Sequence, residues 1–87
     1  SCATEPTGPT IEQLERAAAN NAKLGASYLS RGFIKKARSK LLKALKQDPD
    51  NAYAHGIYGS LLGRIKDDKE AQKHFEKSLE LDSKDSN

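Results

Sequence analysis

The side chains best suited to chemistry in this 87-residue chain are one cysteine, Cys2, and two histidines, His55 and His74. Imidazole nitrogens can bind a metal or accept a proton, but a metal site needs further cysteine, histidine or carboxylate ligands at suitable spacing. Neither histidine has such a cluster around it. The sequence also lacks a Gly-x-Ser-x-Gly nucleophile turn and a glycine-rich phosphate loop. We therefore predict no metal site, no cofactor and no enzymatic activity.

A run of positive charge between residues 31 and 46 is the second chemical feature. The net charge of the chain is only +3, yet this run contains no acidic residue. Lysine and arginine can bind the phosphates of RNA or of an anionic membrane, and such binding weakens steeply with salt. We expect a solvated helix face without interleaved aromatic residues, and a phosphate-binding surface is the alternative. The basic residues are Arg31, Lys35, Lys36, Arg38, Lys40, Lys43 and Lys46.

Composition limits the chain to one small domain. Hydrophobic residues make up 36% and charged residues 31%, as expected of a soluble protein. No apolar run reaches the ~18 residues needed to cross a bilayer. A single cysteine cannot form an internal disulfide.

The elements that position these residues follow an internal repeat of 34 residues. Residues 18–51 aligned with residues 52–85 share seven identities. A repeat of this length holds two short helices and their turns. The predicted fold is therefore all-α, with antiparallel helix hairpins stacked as a fragment of an α-solenoid. The identical pairs are Ala18/Ala52, Gly25/Gly59, Lys35/Lys69, Ala37/Ala71, Lys43/Lys77, Leu45/Leu79 and Asp48/Asp82.

Apolar periodicity and capping residues predict four helices. The first three cover approximately residues 11–30, 34–47 and 52–63, and the fourth ends near Leu81. We expect a flexible leader over residues 1–9, a domain over residues 10–82 and a frayed tail over residues 83–87. The predicted start signals are Thr10 with Gln13, Asn51, and Asp67 with Glu70; Gly32 is the predicted left-handed exit residue and Gly63 marks a turn.

Small residues recur where the two helices of each predicted hairpin cross. A small side chain lets helix axes approach to about 8 Å rather than about 10 Å. A large residue, Leu41 or Phe75, then fills the space beside each crossing. The predicted helix-packing residues are Gly25 and Ala37 in the first hairpin, and Gly59 and Ala71 in the second.

This pattern resembles tetratricopeptide (TPR) repeats over about residues 18–85. The resemblance implies a scaffold that binds a partner peptide or helix. Two positions depart from the family pattern: Asn21 and His55 replace an early Trp, and Ser83 replaces the second closing Pro. The matching residues are Leu24, Gly25, Tyr28, Gly32, Ala37, Leu41, Ala44, Leu45 and Pro49, then Tyr58, Gly59, Leu62, Ala71, Phe75, Ser78 and Leu79.

The TPR resemblance also implies where a partner binds. The family uses the inner face of the first and third helices as a peptide groove. We expect a shallow, largely apolar groove with Tyr53 and Leu29 as anchors; the alternative is that these residues pack against the leader. The groove residues are Ala19, Ala22, Ala26 and Leu29 from the first helix, and Tyr53, Gly56, Ser60 and Arg64 from the third.

A narrower resemblance concerns residues 23–32 with Ala37 and residues 44–49, which are similar to the first repeat of PilF/PilW-type lipoproteins. These outer-membrane proteins of type IV pilus biogenesis help a secretin to assemble. The resemblance implies lipidation of Cys2, which follows a small residue and precedes a polar leader. It further implies a periplasmic face location and a secretin subunit as partner. The alternatives are an incidental thiol at Cys2 and a general TPR adaptor or co-chaperone, with a cytoplasmic location.

Two repeats are fewer than the ~3 usually needed for a stable array. The last helix should therefore expose an apolar edge made by Phe75, Leu79 and Leu81. We expect either further repeats or a homodimer that pairs through this edge.

Overall fold

Four α-helices joined by short turns make up the part of the chain that the structure describes. In the computed structural model the residues described are 8–85, with side chains as far as residue 84. The helices are α1 (Ile11–Ser30), α2 (Ile34–Gln47), α3 (Ala52–Arg64) and α4 (Asp68–Asp85). Residues 8–85 contain no strand. The all-α class with helix hairpins is thus confirmed.

The four helices form two hairpins in sequence. Helix α1 packs mainly against α2, and α3 packs mainly against α4. Helix α3 also contacts both α1 and α2, whereas α4 contacts only α3 among the described helices. The second hairpin is therefore joined to the first through α3.

Side-chain caps fix two of the helix starts. Thr10 and Gln13 form the predicted capping box: the Gln13 amide donates to the Thr10 hydroxyl at 3.1 Å, and the Thr10 amide donates to the Gln13 side chain at 2.9 Å. The Asn51 side chain accepts from the Ala54 amide at 2.8 Å. These local bonds satisfy amides that have no partner within the helix.

Helix α4 runs to Asp85, beyond the expected end near Leu81. The first copy stops at Pro49, but Ser83 stands at the equivalent position and does not break the helix. Leu81 is buried, and Lys84 pairs with Glu80 at 3.5 Å, so the last turns have contacts of their own. Residues 83–85, expected in a frayed tail, thus belong to α4, and residues 86 and 87 lie outside the described part.

A left-handed glycine ends α1 as predicted. Gly32 has φ +82°, its amide donates to the Leu29 carbonyl at 3.0 Å, and the Phe33 amide donates to the Tyr28 carbonyl at 2.9 Å. These two bonds define a Schellman motif. The Phe33 and Tyr28 rings meet edge to face at 6.3 Å, which adds the apolar contact typical of the motif.

The same motif ends α3, but with a lysine in the left-handed position. Lys66 has φ 68°, and the Asp67 amide donates to the Leu62 carbonyl at 2.8 Å. Gly63, the residue expected to mark this turn, lies inside α3 instead. A lysine pays a steric penalty in this conformation because its Cβ approaches the following carbonyl oxygen.

Close helix crossings occur at equivalent glycines in both hairpins. A Cβ on Gly25 would lie 2.6 Å from Leu41 Cγ and 3.3 Å from the Ala37 carbonyl oxygen. A Cβ on Gly59 would lie 2.9 Å from Phe75 Cδ1 and 3.2 Å from the Ala71 carbonyl oxygen. The four predicted helix-packing residues, Gly25, Ala37, Gly59 and Ala71, lie at these two crossings.

We predict that Lys66→Gly stabilises the protein. Glycine removes the left-handed penalty of about 1–2 kcal/mol and loses part of the gain through its more flexible unfolded chain. The free energy of unfolding in urea should rise by about 0.5–1 kcal/mol. The matched change, Gly32→Ala, should lower it by a similar amount. If neither Lys66→Gly nor Gly32→Ala changed the free energy of unfolding, the assignment of strain to the left-handed conformation would be contradicted.

We predict opposite effects of alanine at two helical glycines. Gly25→Ala should destabilise by about 1–3 kcal/mol because Leu41 is fully buried and cannot move away. Gly63→Ala should stabilise by about 0.5–1 kcal/mol, since no atom beyond the neighbouring residues and backbone of its own helix lies within 4 Å of the added methyl group. Urea unfolding measures both. If Gly25→Ala stabilised the protein as much as Gly63→Ala, the α1–α2 crossing would tolerate a side chain.

Candidate protein-interaction surface

Only two of the four α1 residues expected in the groove are accessible at the surface. Ala19 and Ala26 are half-buried and accessible. Ala22 is fully buried, in a cluster of alanines where α1, α2 and α3 meet. Leu29 is buried in the main core beside Leu61. The expectation that Leu29 anchors a partner is therefore wrong, because its side chain already fills the contact between the hairpins.

Helix α3 supplies the exposed members of the expected groove. Tyr53 is 51% exposed, Ser60 is exposed and Gly56 is half-buried. Arg64 is exposed, yet its Nη1 donates to the Leu29 carbonyl oxygen at 2.7 Å. That carbonyl lies in the last turn of α1, where the backbone lacks helical partners. Arg64 thus ties α3 to the end of α1.

The accessible remainder is an open surface shared by two contacting helices. We call it the α1–α3 surface. Its members on α1 are small residues, and Tyr53 on α3 is its large aromatic side chain. No pocket opens among residues 8–85. The α1–α3 surface consists of Ala19, Ala26, Tyr53, Ser60 and Arg64. A Cβ on Gly56 would lie 3.3 Å from Ser78 Oγ, so this predicted groove residue faces α4 instead.

The structure brings the two histidines together, which the sequence analysis missed. His55 Nδ1 and His74 Nδ1 lie 2.9 Å apart, and the rings stack with centroids 5.1 Å apart. His55 Nε2 lies 2.7 Å from the Pro49 carbonyl oxygen. The crossing of Gly59 with Ala71 could have revealed the pair, because His55 precedes one crossing residue by about one turn and His74 follows the other.

The hydrogen-bond partners define how the neutral histidine pair holds its protons. A carbonyl oxygen only accepts, so His55 Nε2 carries a hydrogen and donates to Pro49. Neutral His55 then accepts at Nδ1, and His74 donates from its Nδ1. One added proton can bind at His74 Nε2 and leave the hydrogen bond between the two Nδ1 atoms intact. With both rings protonated, each Nδ1 would carry a hydrogen, and two donors that face each other cannot form this bond.

Burial lowers the pKa of His74 below its ordinary value, and the neighbouring His55 lowers it further. Glu70 acts in the opposite direction and Lys73 in the same direction. The Tyr58 ring packs edge-on against His74 with centroids 4.7 Å apart, so an apolar ring covers part of the imidazole. His74 therefore favours its neutral state.

The basic run lies on α2 and the preceding turn, with an aromatic neighbour that the sequence analysis did not expect. Phe33 is 45% exposed, with the Arg31 guanidinium 5.0 Å from its ring centroid and Lys36 Nζ 5.7 Å from it. Lys36 Nζ is also 5.7 Å from the Tyr28 ring centroid. The expectation that no aromatic residue accompanies the basic run is wrong.

Cys2, the predicted lipidation site, lies outside the part of the chain that the structure describes. Phe75 and Leu79 are exposed, but Leu81 is buried and does not belong to the expected apolar edge. Residues 8–85 hold no group of three potential metal ligands. Within the same range, no helix has the length and apolar character required to span a membrane.

Comparison with known proteins finds no match to the chain among protein-family models, curated proteins or solved structures.

We predict that stability falls as the pH decreases from 7.5 to 5.5. The folded-state pKa of His74 lies below its unfolded value, so the stability is complete above about pH 6.5 and is lost as pH falls toward the folded pKa. An NMR titration should place the His74 midpoint below 6.5.

The matched control is His74→Asn, whose amide keeps a donor near the Nδ1 position but does not titrate. Urea unfolding of this variant should depend less on pH between 7.5 and 5.5. A His74 midpoint at or above 6.5, with an unchanged pH dependence in His74→Asn, would contradict the prediction.

Proposed function

We propose that this chain is a non-enzymatic protein-interaction module of the TPR type, which binds a peptide or helix of a partner on the α1–α3 surface. The observation that carries the proposal is Tyr53, a large aromatic side chain that is left 51% exposed on α3, a helix in contact with α1. Tyrosine is enriched among the residues that dominate binding energy at protein interfaces.

The small residues of the α1–α3 surface favour a partner segment that approaches closely. Ala19 and Ala26 carry only a methyl group, so a peptide backbone or helix can lie against them. Ser60 and Arg64 supply polar groups at the side of α3. An apolar anchor with polar neighbours is the usual composition of a peptide-binding surface.

The similarity to PilF/PilW-type proteins supports a specific biological setting for this module. We propose a lipoprotein of type IV pilus biogenesis, anchored through Cys2 to the periplasmic face of the outer membrane, with a secretin subunit as partner. A general bacterial TPR adaptor or co-chaperone, cytoplasmic in location, is the runner-up. All of these settings use the same partner surface.

A second candidate function is binding of RNA or an anionic membrane by α2. The observation that favours it is the exposed Phe33 ring with Arg31 and Lys36 beside it. Helix α2 also carries Lys35, Arg38, Lys40, Lys43 and Lys46 and has no acidic residue. This surface lies on a different helix from Tyr53, so one experiment can separate the two functions.

We predict that a photo-crosslinking amino acid at Tyr53 captures a protein partner in native cells. The same probe at Leu42, which is 46% exposed on basic helix α2, is the matched control and should capture no such partner. With the captured partner purified, Tyr53→Ala should weaken binding by about 30-fold, since an interface anchor contributes about 2 kcal/mol. Circular dichroism should show an unchanged fold.

Two outcomes would contradict the proposed surface. One is equal capture of the same partner from Tyr53 and Leu42. The other is capture of RNA or lipid from Leu42 alone, with binding that Lys40→Glu and Lys43→Glu together abolish. That second outcome would establish the candidate function on α2.

A further inference from the structure

The outer side of the second hairpin is the counterpart of a buried surface on the first. Leu41 and Ala44 on α2 are fully buried, and each shares a core cluster with α3 residues: Leu41 with Leu61, and Ala44 with Ala54. The residues 34 positions later are Phe75, which is 41% exposed, and Ser78, which is half-buried. No described helix packs on α4 other than α3. A surface that is covered in one hairpin is thus open in the next.

This open surface is apolar. Leu79 is 70% exposed and lies one helical turn from Phe75. Ser78 does not make the surface polar, because its hydroxyl donates to the Ala52 carbonyl oxygen at 2.8 Å within the hairpin. We call this surface the end face, and it consists of Ala52, Gly56, Phe75, Ser78 and Leu79.

The first hairpin shows what kind of element covers such a surface. Helix α3 packs there with a small residue, Ala54, followed by Ile57 and Leu61 three and seven positions later. Ala54 sits in the alanine cluster with Ala44, while Leu61 is fully buried beside Leu41. The covering element is therefore an amphipathic helix with a small–apolar–apolar face.

We propose that the end face binds an amphipathic helix of a partner protein, with a small residue and then apolar residues at the third and seventh following positions. The end face differs from the α1–α3 surface in that its exposed apolar residues, Phe75 and Leu79, belong to α4. The inference thus goes beyond the proposed function and does not depend on Tyr53.

A second copy of this chain does not offer the required helix. The positions on α1 equivalent to Ala54, Ile57 and Leu61 are Asn20, Lys23 and Ser27, which are polar and exposed. Those on α3 itself are already packed against the first hairpin. The two ends of the helix stack therefore differ: the three α1 positions equivalent to Ala54, Ile57 and Leu61 are polar, whereas the α4 end exposes Phe75 and Leu79.

The probe for the experiment is a fluorescein-labelled peptide with the sequence of residues 51–66. Its three glycines are replaced by alanine, because the free peptide must form a helix in water. The control peptide carries asparagine, lysine and serine in place of Ala54, Ile57 and Leu61. Fluorescence anisotropy with the intact protein should show saturable binding of the probe, and the control should bind at least ~10-fold more weakly.

Protein variants locate the binding. Leu79→Glu should weaken binding of the probe at least ~10-fold, whereas Leu42→Glu, a matched change at another exposed leucine, should leave it unchanged. Tyr53→Ala should also leave it unchanged, so that failure here is distinguishable from failure of the α1–α3 surface.

Three results would overturn the proposal. The first is the absence of saturable binding. The second is equal binding to the Leu79→Glu and wild-type proteins, which would indicate that the probe displaces the protein's own α3. The third is a homodimer in sedimentation that Leu79→Glu dissociates, because a second copy would then occupy the end face.

Discussion

The close contact between a glycine on one helix and the backbone of the next is the constraint on which the whole arrangement depends. At Gly25 and Gly59 the space for even one methyl group is occupied by a side chain and a backbone carbonyl. Helices that approach this closely can meet in only one register, because any shift would bring a larger side chain into the crossing. Each hairpin is thus fixed at a single point.

The fixed register decides which other side chains meet. In the second hairpin it brings His55 to His74, and Tyr58 to the edge of His74. In the first it places Leu41 under α3, where Leu61 and Leu29 complete the core. Side chains that are far apart in sequence therefore meet because the small residues at each crossing fix the register of the two helices.

Sequence patterns predicted the helices and their crossings well, because these depend on local caps and on a repeated spacing. They failed where burial depends on a third helix. Leu29 was expected at the surface but is buried against the second hairpin, a contact that hairpin periodicity does not reveal. The left-handed Lys66 was missed because glycine usually occupies that position. The exposure of Phe33 beside basic side chains likewise required the geometry of the turn.

Among the described helices α4 contacts only α3, so the loss of α4 and the loss of α3 have different consequences for the fold. Detachment of α4 leaves α1, α2 and α3 with their mutual contacts, including the bond from Arg64 to the Leu29 carbonyl. Detachment of α3 removes the only helix, among those described, that holds α4 in place. Opening of the structure at α4 therefore disrupts the contact of one helix pair, whereas opening at α3 disrupts the contacts of three.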